Sequence, residues 1–168
     1  DTNNCYIHSN NKLVTTNNVN NLAIIETKDS LYIGDINESQ NIKNIVKNLK
    51  NNNRNEINFH AQVFRPWGWF INLDGNDYNG YKVKKIGIYP GKKLSLQSHN
   101  KRSEHWVIVK GTAKIQVGKN FHILHSNQSI YIPMTVLHRA ENIGENIVEI
   151  IETQIGEYLG EDDIIRYE

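Results

Sequence analysis

The sequence has little cysteine and no long apolar run, and each scarcity argues against a class of protein. Its 168 residues include one cysteine, Cys5, and one methionine. A single thiol forms no internal disulfide, so we expect a reducing compartment and assign the chain to the cytoplasm. No apolar run approaches the roughly 18 residues that a membrane span requires. The opening residues, DTNNCYIHSNN, also lack the basic-then-apolar pattern of a signal peptide.

The sequence also lacks an excess of charge of either sign. Nineteen Lys and Arg residues balance eighteen Asp and Glu residues, for a net charge of +1, and the basic residues form no long block. This argues against nucleic acid as a partner but leaves room for a small basic pocket that binds a phosphorylated ligand. A hydrophobic content of 38% and a length of 168 residues suit one globular domain with a small appendage.

Asparagine is abundant, and one asparagine-rich stretch divides the chain. Residues 51–58 read NNNRNEIN and are nearly free of apolar side chains, which predicts a linker. We therefore divide the chain into residues 1–58 and residues 59–168.

The first part predicts a small strand-rich segment followed by one helix. Residues 5–35 contain four short apolar runs, YIHS, KLVTT, LAIIET and SLYIGD, which predict four strands. Residues 38–50 place apolar side chains at helical spacing, as in an amphipathic helix; these are Ile42, Ile45, Val46 and Leu49. The strand edges of residues 5–35 are able to pair with a second chain, so a homodimer is one state that the sequence allows.

The second part predicts an all-β fold. From residue 59 onward, alternating or β-branched stretches follow one another, separated by turn residues such as Pro90, Gly91, Gly111, Gly118 and Pro133. Short strands at this spacing, with no strong helix between them, indicate an antiparallel barrel or sandwich. We predict a jelly-roll of two sheets whose interior has room for one small ligand.

Four polar residues have the chemistry and spacing of a metal site. Gln97 and His99 are two residues apart, so they project from the same face of a strand. Glu104 begins the apolar strand that follows, and His138 lies far downstream after a turn that contains proline. Imidazole nitrogens with carboxylate and amide oxygens bind a divalent transition ion and leave positions open for water or substrate. Strand alternation directs the neighbouring His105 out of the barrel.

The spacing of these residues resembles the two paired motifs of the cupin superfamily, whose fold is the double-stranded β-helix. The sequence departs from the usual pattern at Gln97, where many cupins have histidine, and at Asn127 and Thr135, where glycine is usual. The glutamine fits cupin sugar-phosphate isomerases, whose zinc site uses Gln, His, Glu and His.

Four longer stretches resemble a narrower family, the C-terminal cupin domain of type II phosphomannose isomerases. They are FRPWGWF (64–70), PGKKLSLQSHNKRSEHWVIVKGTA (90–113), YIPMTVLHRAEN (131–142) and IIETQIGEYLGEDDIIRYE (150–168). Residues 5–50 are similar to the end of the guanylyltransferase half to which that domain is usually fused. The resemblance implies a parent chain with a nucleotidyltransferase domain that is missing here.

The resemblance implies reversible conversion of mannose 6-phosphate into fructose 6-phosphate through an enediol(ate), as a step of GDP-mannose synthesis. It also implies a divalent metal, zinc first and cobalt or manganese as alternatives, held by Gln97, His99, Glu104 and His138. Since bound metal polarises the sugar oxygens, Glu104 is counted as catalytic too. The residue that transfers the proton stays open.

Other side chains are candidates for contact with the sugar phosphate. Arg102 lies two residues before Glu104, so a strand that extends this far points its guanidinium into the same cavity. Arg166 matches an arginine that determines activity in the resembled family. We assign substrate binding to Arg65, Lys93 and Asn127, since arginine matches phosphate geometry and lysine acts as a point charge.

Two other readings remain. The same barrel could bind a sugar phosphate or dimerise without catalysing a reaction. It could also be another cupin enzyme, either an oxygenase, against which Gln97 counts, or a sugar-nucleotide epimerase, which usually works without metal through a His–Tyr pair.

Overall fold

The computed structural model describes residues 1–10, 12–28, 30–52, 54 and 62–167. The chain divides into two compact units, Asp1–Ala61 and Gln62–Glu168. Most of the predicted linker at 51–58 lies outside the described residues. None of the described helices is both long enough and apolar enough to cross a membrane.

The first unit contains a three-stranded sheet. Strands β1 (Tyr6–Ser9) and β2 (Leu22–Glu26) run parallel, and β3 (Leu31–Asp35) pairs with β2 in the antiparallel sense. The predicted strand KLVTT at 12–16 is wrong, because Lys12–Thr16 forms no strand and Leu13 is 92% exposed. A parallel pair needs a long crossover connection, and this segment belongs to the crossover between β1 and β2.

One helix follows the sheet, as predicted. A 3-10 helix spans Ile36–Asn41 and leads into helix α1, Ile42–Asn51. The Asp35 side chain accepts a hydrogen bond from the Asn37 backbone N–H at 2.8 Å, which caps the first turn. Regular α-helix begins later than the predicted residue 38 because Glu38 has a non-helical backbone, with φ −101° and ψ 22°.

The second unit is built from strands. They are β4 (Gln62–Arg65), β5 (Gly68–Gly75), β6 (Tyr81–Ile88), β7 (Gln97–His99), β8 (Arg102–Lys110), β9 (Thr112–Val117), β10 (Asn120–His125), β11 (Ser129–Ile132), β12 (His138–Asn142), β13 (Val148–Gly156) and β14 (Ile164–Arg166).

These strands form two sheets, in the orders β10-β9-β12-β7-β14 and β11-β8-β13-β6-β5-β4. Apolar side chains from both sheets pack into one core, with Trp106, Ile108, Ile115 and Ile150 all fully buried. The period-2 alternation of these strands produces such a core, because every second side chain points inward. The all-β jelly-roll prediction is confirmed.

The sheet pairings bring distant segments of the chain to one place. In the five-stranded sheet, His138 of β12 lies opposite Gln97 of β7. On the other side of β7, strand β14 places Arg166 opposite Gln97. In the six-stranded sheet, Glu104 of β8 lies opposite Gln154 of β13.

Candidate functional site

Three of the predicted metal ligands form one buried cluster. His99, Glu104 and His138 each offer a ligand atom, and these atoms all lie within 4.8 Å of one another. The three residues are at most 2% exposed. His99 Nε2 is 3.1 Å from Glu104 Oε1, and His138 Nε2 is 3.5 Å from Glu104 Oε2. Strands from both sheets supply the cluster, since His99 and His138 lie in the five-stranded sheet and Glu104 lies in the six-stranded sheet.

The histidine nitrogens fit a metal ion. The His138 Nδ1–H donates to the Val136 carbonyl oxygen at 2.9 Å, which leaves Nε2 as the nitrogen with a lone pair toward Glu104. Neither ring nitrogen of His99, nor Nε2 of His138, has a hydrogen-bond partner among the described residues. Buried polar atoms are normally satisfied, and a cation bound by the carboxylate, His99 Nε2 and His138 Nε2 would satisfy these two Nε2 atoms.

Protonation states in the cluster also suit a metal. Burial alone would raise the pKa of Glu104, but the adjacent imidazoles of His138 and His99 hold that pKa well below its usual value. Burial lowers the pKa of His99 and outweighs the opposite effect of Glu104. An ionised carboxylate with neutral imidazoles is the donor set that binds a divalent cation.

Arg102 is held against the cluster from within the barrel. Strand β8 begins at this residue, and its side chain is 1% exposed. Its Nε donates to Glu104 Oε1 at 3.2 Å and its Nη1 donates to the Gly160 carbonyl oxygen at 3.0 Å. The strand therefore extends far enough to point the guanidinium inward. His105, which follows Glu104 in the sequence, is exposed, as expected.

Gln97 begins strand β7, two residues before His99. It is half-buried, and its Oε1 accepts a hydrogen bond from Ser95 Oγ at 3.4 Å. Its backbone lies opposite His138. Its role as the fourth metal ligand stays a prediction.

The two departures from the usual glycines occupy left-handed backbone conformations. Asn127 has φ 70° and Thr135 has φ 66°. Asparagine tolerates this region, whereas a β-branched residue is strained there. The Thr135 backbone N–H donates to the His99 carbonyl oxygen at 2.7 Å. The turn before β12 thus ties the segments that carry the two histidines.

A cavity opens beside the cluster, with an empty volume of about 620 Å³ that includes the space at its mouth. Glu104 belongs to both the cluster and the cavity lining, and Gln97 and Arg102 line the cavity as well. Four cationic side chains line it: Arg65, Lys84, Arg102 and Arg166.

Arg166, predicted as catalytic, and the three predicted substrate-binding residues separate into two groups. Arg65 and Arg166 line the cavity and are exposed, so their guanidinium groups are accessible to a ligand. Lys93 and Asn127 are exposed and do not line it. Lys93 forms an isolated β-bridge with Glu141, and the next residue, Leu94, is buried in the core. Asn127 lies in the turn between β10 and β11.

Two buried charged residues of the cavity wall were missed by the sequence analysis. Lys84, on β6, is 6% exposed and pairs with Glu161. Glu152, on β13, is 4% exposed and accepts a hydrogen bond from Gln154 Nε2 at 2.7 Å. The only sign of them in the sequence is the two-residue period of the stretches GYKVKKIGIY and IIETQ, which places Lys84 and Glu152 on the inward faces of their strands.

The fold and the buried His–Glu–His cluster together define a cupin. Solved structures support this fold: a double-stranded β-helix protein from Klebsiella pneumoniae has a TM-score of 0.55 at 15% identity, covering 64% of this chain and 90% of that one. The cupin domain of Schizosaccharomyces pombe Cnp3 has a TM-score of 0.52 at 13% identity, covering 56% of this chain and 68% of that one.

Sequence comparison assigns the family within that class. Residues 52–168 match the family described as mannose-6-phosphate isomerase C-terminal, and residues 1–49 match the mannose-phosphate isomerase/GMP-like β-helix domain. The chain therefore belongs to the mannose-6-phosphate isomerase C-terminal family.

The curated relatives are much longer than this chain. The alginate biosynthesis protein AlgA of Pseudomonas putida is 45% identical over 169 residues, which cover 100% of this chain and 34% of that protein. The mannose-1-phosphate guanylyltransferase of Escherichia coli K12 is 42% identical over 166 residues, covering 99% of this chain and 34% of that protein. The chain spans about a third of the length of these relatives.

Proposed function

We propose that this chain interconverts mannose 6-phosphate and fructose 6-phosphate in a metal-dependent reaction through an enediol(ate). The observation that carries the proposal is the placement of a His–Glu–His cluster next to a cavity lined by four cationic side chains. An aldose–ketose isomerase needs an electrophile for the carbonyl group and a cationic site for the phosphate.

We assign the metal to His99, Glu104 and His138, with Gln97 as the fourth ligand. A divalent cation there, zinc first and cobalt or manganese as alternatives, would supply a Lewis acid for the carbonyl and enediolate oxygens. The carboxylate is held in place by Arg102 Nε and by Trp106 Nε1, which donates to Glu104 Oε2 at 3.0 Å.

The phosphate is assigned to the mouth of the cavity. Arg65 and Arg166 line it with exposed guanidinium groups, and guanidinium forms bidentate hydrogen bonds with phosphate oxygens. Arg102 is fully buried against Glu104, so we assign it to the reacting end of the sugar. Lys93 and Asn127 are left out of this assignment because they do not line the cavity.

We also propose that the parent protein acts in GDP-mannose synthesis in the cytoplasm and carries mannose-1-phosphate guanylyltransferase activity in a further domain. The support is the name of the Escherichia coli relative and the share of its length that the chain leaves uncovered.

Two matched histidine variants test the isomerase proposal. The complete protein that contains residues 1–168 is assayed for fructose 6-phosphate production, and its bound metal is counted by mass spectrometry. Because His99 is a buried member of the cluster, His99→Ala should lose the metal and at least about 10²-fold in turnover. His105→Ala, an exposed neighbour of Glu104, should keep both.

Retention of metal and turnover by His99→Ala would refute the metal assignment. A wild-type protein that binds metal and sugar phosphate without turnover would instead be the non-catalytic binding module.

A further inference from the structure

The proposed reaction requires a base, and the metal cluster does not provide one. Glu104 is the carboxylate of that cluster, and its oxygens accept hydrogen bonds from Arg102, Trp106 and Gln154. A carboxylate that binds metal with these partners has no oxygen left for a carbon-bound proton. The base must therefore be another group that faces the same cavity.

Glu152 lies where such a group is needed. It sits on β13, the strand next to β8, and lines the cavity together with Glu104 and Arg102. It is 4% exposed, so it is a carboxyl group held on the inner wall of the barrel and not a surface acid. Its position in the sheet is opposite Trp106 on β8 and Lys84 on β6.

A shared amide fixes the two carboxyl groups relative to each other. Gln154 Nε2 donates to Glu152 Oε1 at 2.7 Å and to Glu104 Oε1 at 3.2 Å. Glu152 Oε2 accepts no hydrogen bond from the part of the chain that the structure describes. One oxygen is thus anchored, and the other is available to a ligand in the cavity.

The electrostatic surroundings of Glu152 suit transfer of a proton in both directions. Burial raises the pKa of Glu152 to about 7, and the Glu104 carboxylate acts in the same direction. Lys84 and Arg102 oppose this shift, while Glu161 adds to it. A base whose pKa is near neutral can both accept and return a proton.

We propose that Glu152 is the proton-transfer base of the isomerisation, an inference that rests on the proposed function. In the forward direction its carboxylate removes the proton from C2 of open-chain mannose 6-phosphate. The C–H electron pair forms the C1=C2 bond, and the carbonyl π pair moves to O1. Glu152 then returns the proton to C1 as the O2 proton passes to O1 and the C2 carbonyl forms, so no co-reactant is consumed.

The test uses Glu152→Gln, which keeps the shape of the side chain and removes its basicity. Its kcat should fall by about 10²–10⁴-fold, with metal content and KM within about twofold of wild type. In D₂O, wild-type enzyme should incorporate deuterium at C1 of fructose 6-phosphate, and Glu152→Gln should incorporate none above background. Glu152→Asp, which keeps a carboxylate, should retain more turnover than Glu152→Gln.

Glu149→Gln is the matched control. Glu149 lies on the same strand but pairs with Lys85 and does not line the cavity, so its kcat and deuterium incorporation should match wild type. Turnover and exchange that persist in Glu152→Gln would overturn the inference while leaving the proposed function intact. A metal-loaded wild-type protein without isomerase activity would overturn the proposed function and this inference together.

Discussion

Two buried glutamates of this barrel are kept in different states by their neighbours. Glu104 lies beside the imidazoles of His99 and His138, which hold its pKa well below the usual value despite burial. Glu152 has burial and a nearby carboxylate, which raise its pKa to about 7. Divergent pKa values of this kind are typical of active sites.

The raised pKa of Glu152 makes stability depend on pH in a definite direction. Between the ordinary pKa of 4.5 and about 7, folded metal-free protein holds a proton that the unfolded chain has released. The free energy of unfolding therefore falls as pH rises through this window. Glutamine has no such proton. As pH rises from about 5 to about 8, the free energy of unfolding of Glu152→Gln should therefore increase by roughly 2–3 kcal/mol relative to that of wild type.

Urea unfolding of metal-free protein at the two pH values measures this change. Glu149→Gln serves again as the control and should show no comparable gain. An equal difference between Glu152→Gln and wild type at both pH values would contradict the assigned pKa.

At the scale of elements, the turns decide how the strands present the cluster. The turn between β11 and β12 contains Thr135, whose backbone N–H binds the His99 carbonyl oxygen. The short strand β14 pairs with β7 and places Arg166 opposite Gln97. These connections hold residues that are far apart in sequence next to one another.

Thr135 and Asn127 form a natural pair for a test of backbone strain. Both have positive φ, but only threonine is β-branched, so Thr135→Gly should relieve more strain than Asn127→Gly. We expect Thr135→Gly to raise the free energy of unfolding by about 0.5–1 kcal/mol after the entropic cost of glycine. Asn127→Gly should change it by less than about 0.5 kcal/mol.

Thermal and urea unfolding of both variants measure these changes in the free energy of unfolding. A loss of stability in Thr135→Gly would show that the threonine side chain contributes more than its strained backbone costs.

At the scale of the whole molecule, the sequence predicted what depends on local periodicity. The positions of His99, Glu104 and His138 followed from the period of 2 in strands and from motif spacing, and the structure brings them together. Glu152 and Lys84 were not predicted as site residues, because only the register of β13 and β6 brings their side chains to the same cavity. KLVTT has the composition of a strand, but the parallel pairing of β1 with β2 uses it as a crossover.

Metal-dependent isomerisation is the central claim, and the most direct measurement is turnover of mannose 6-phosphate against bound metal. The complete protein is stripped with a chelator and reloaded in steps with zinc, cobalt or manganese. We predict a rate of zero without metal, a linear increase with metal content and saturation at about one ion per chain, as one His–Glu–His cluster implies. Full turnover in the stripped protein, or none in the fully loaded protein, would contradict this account.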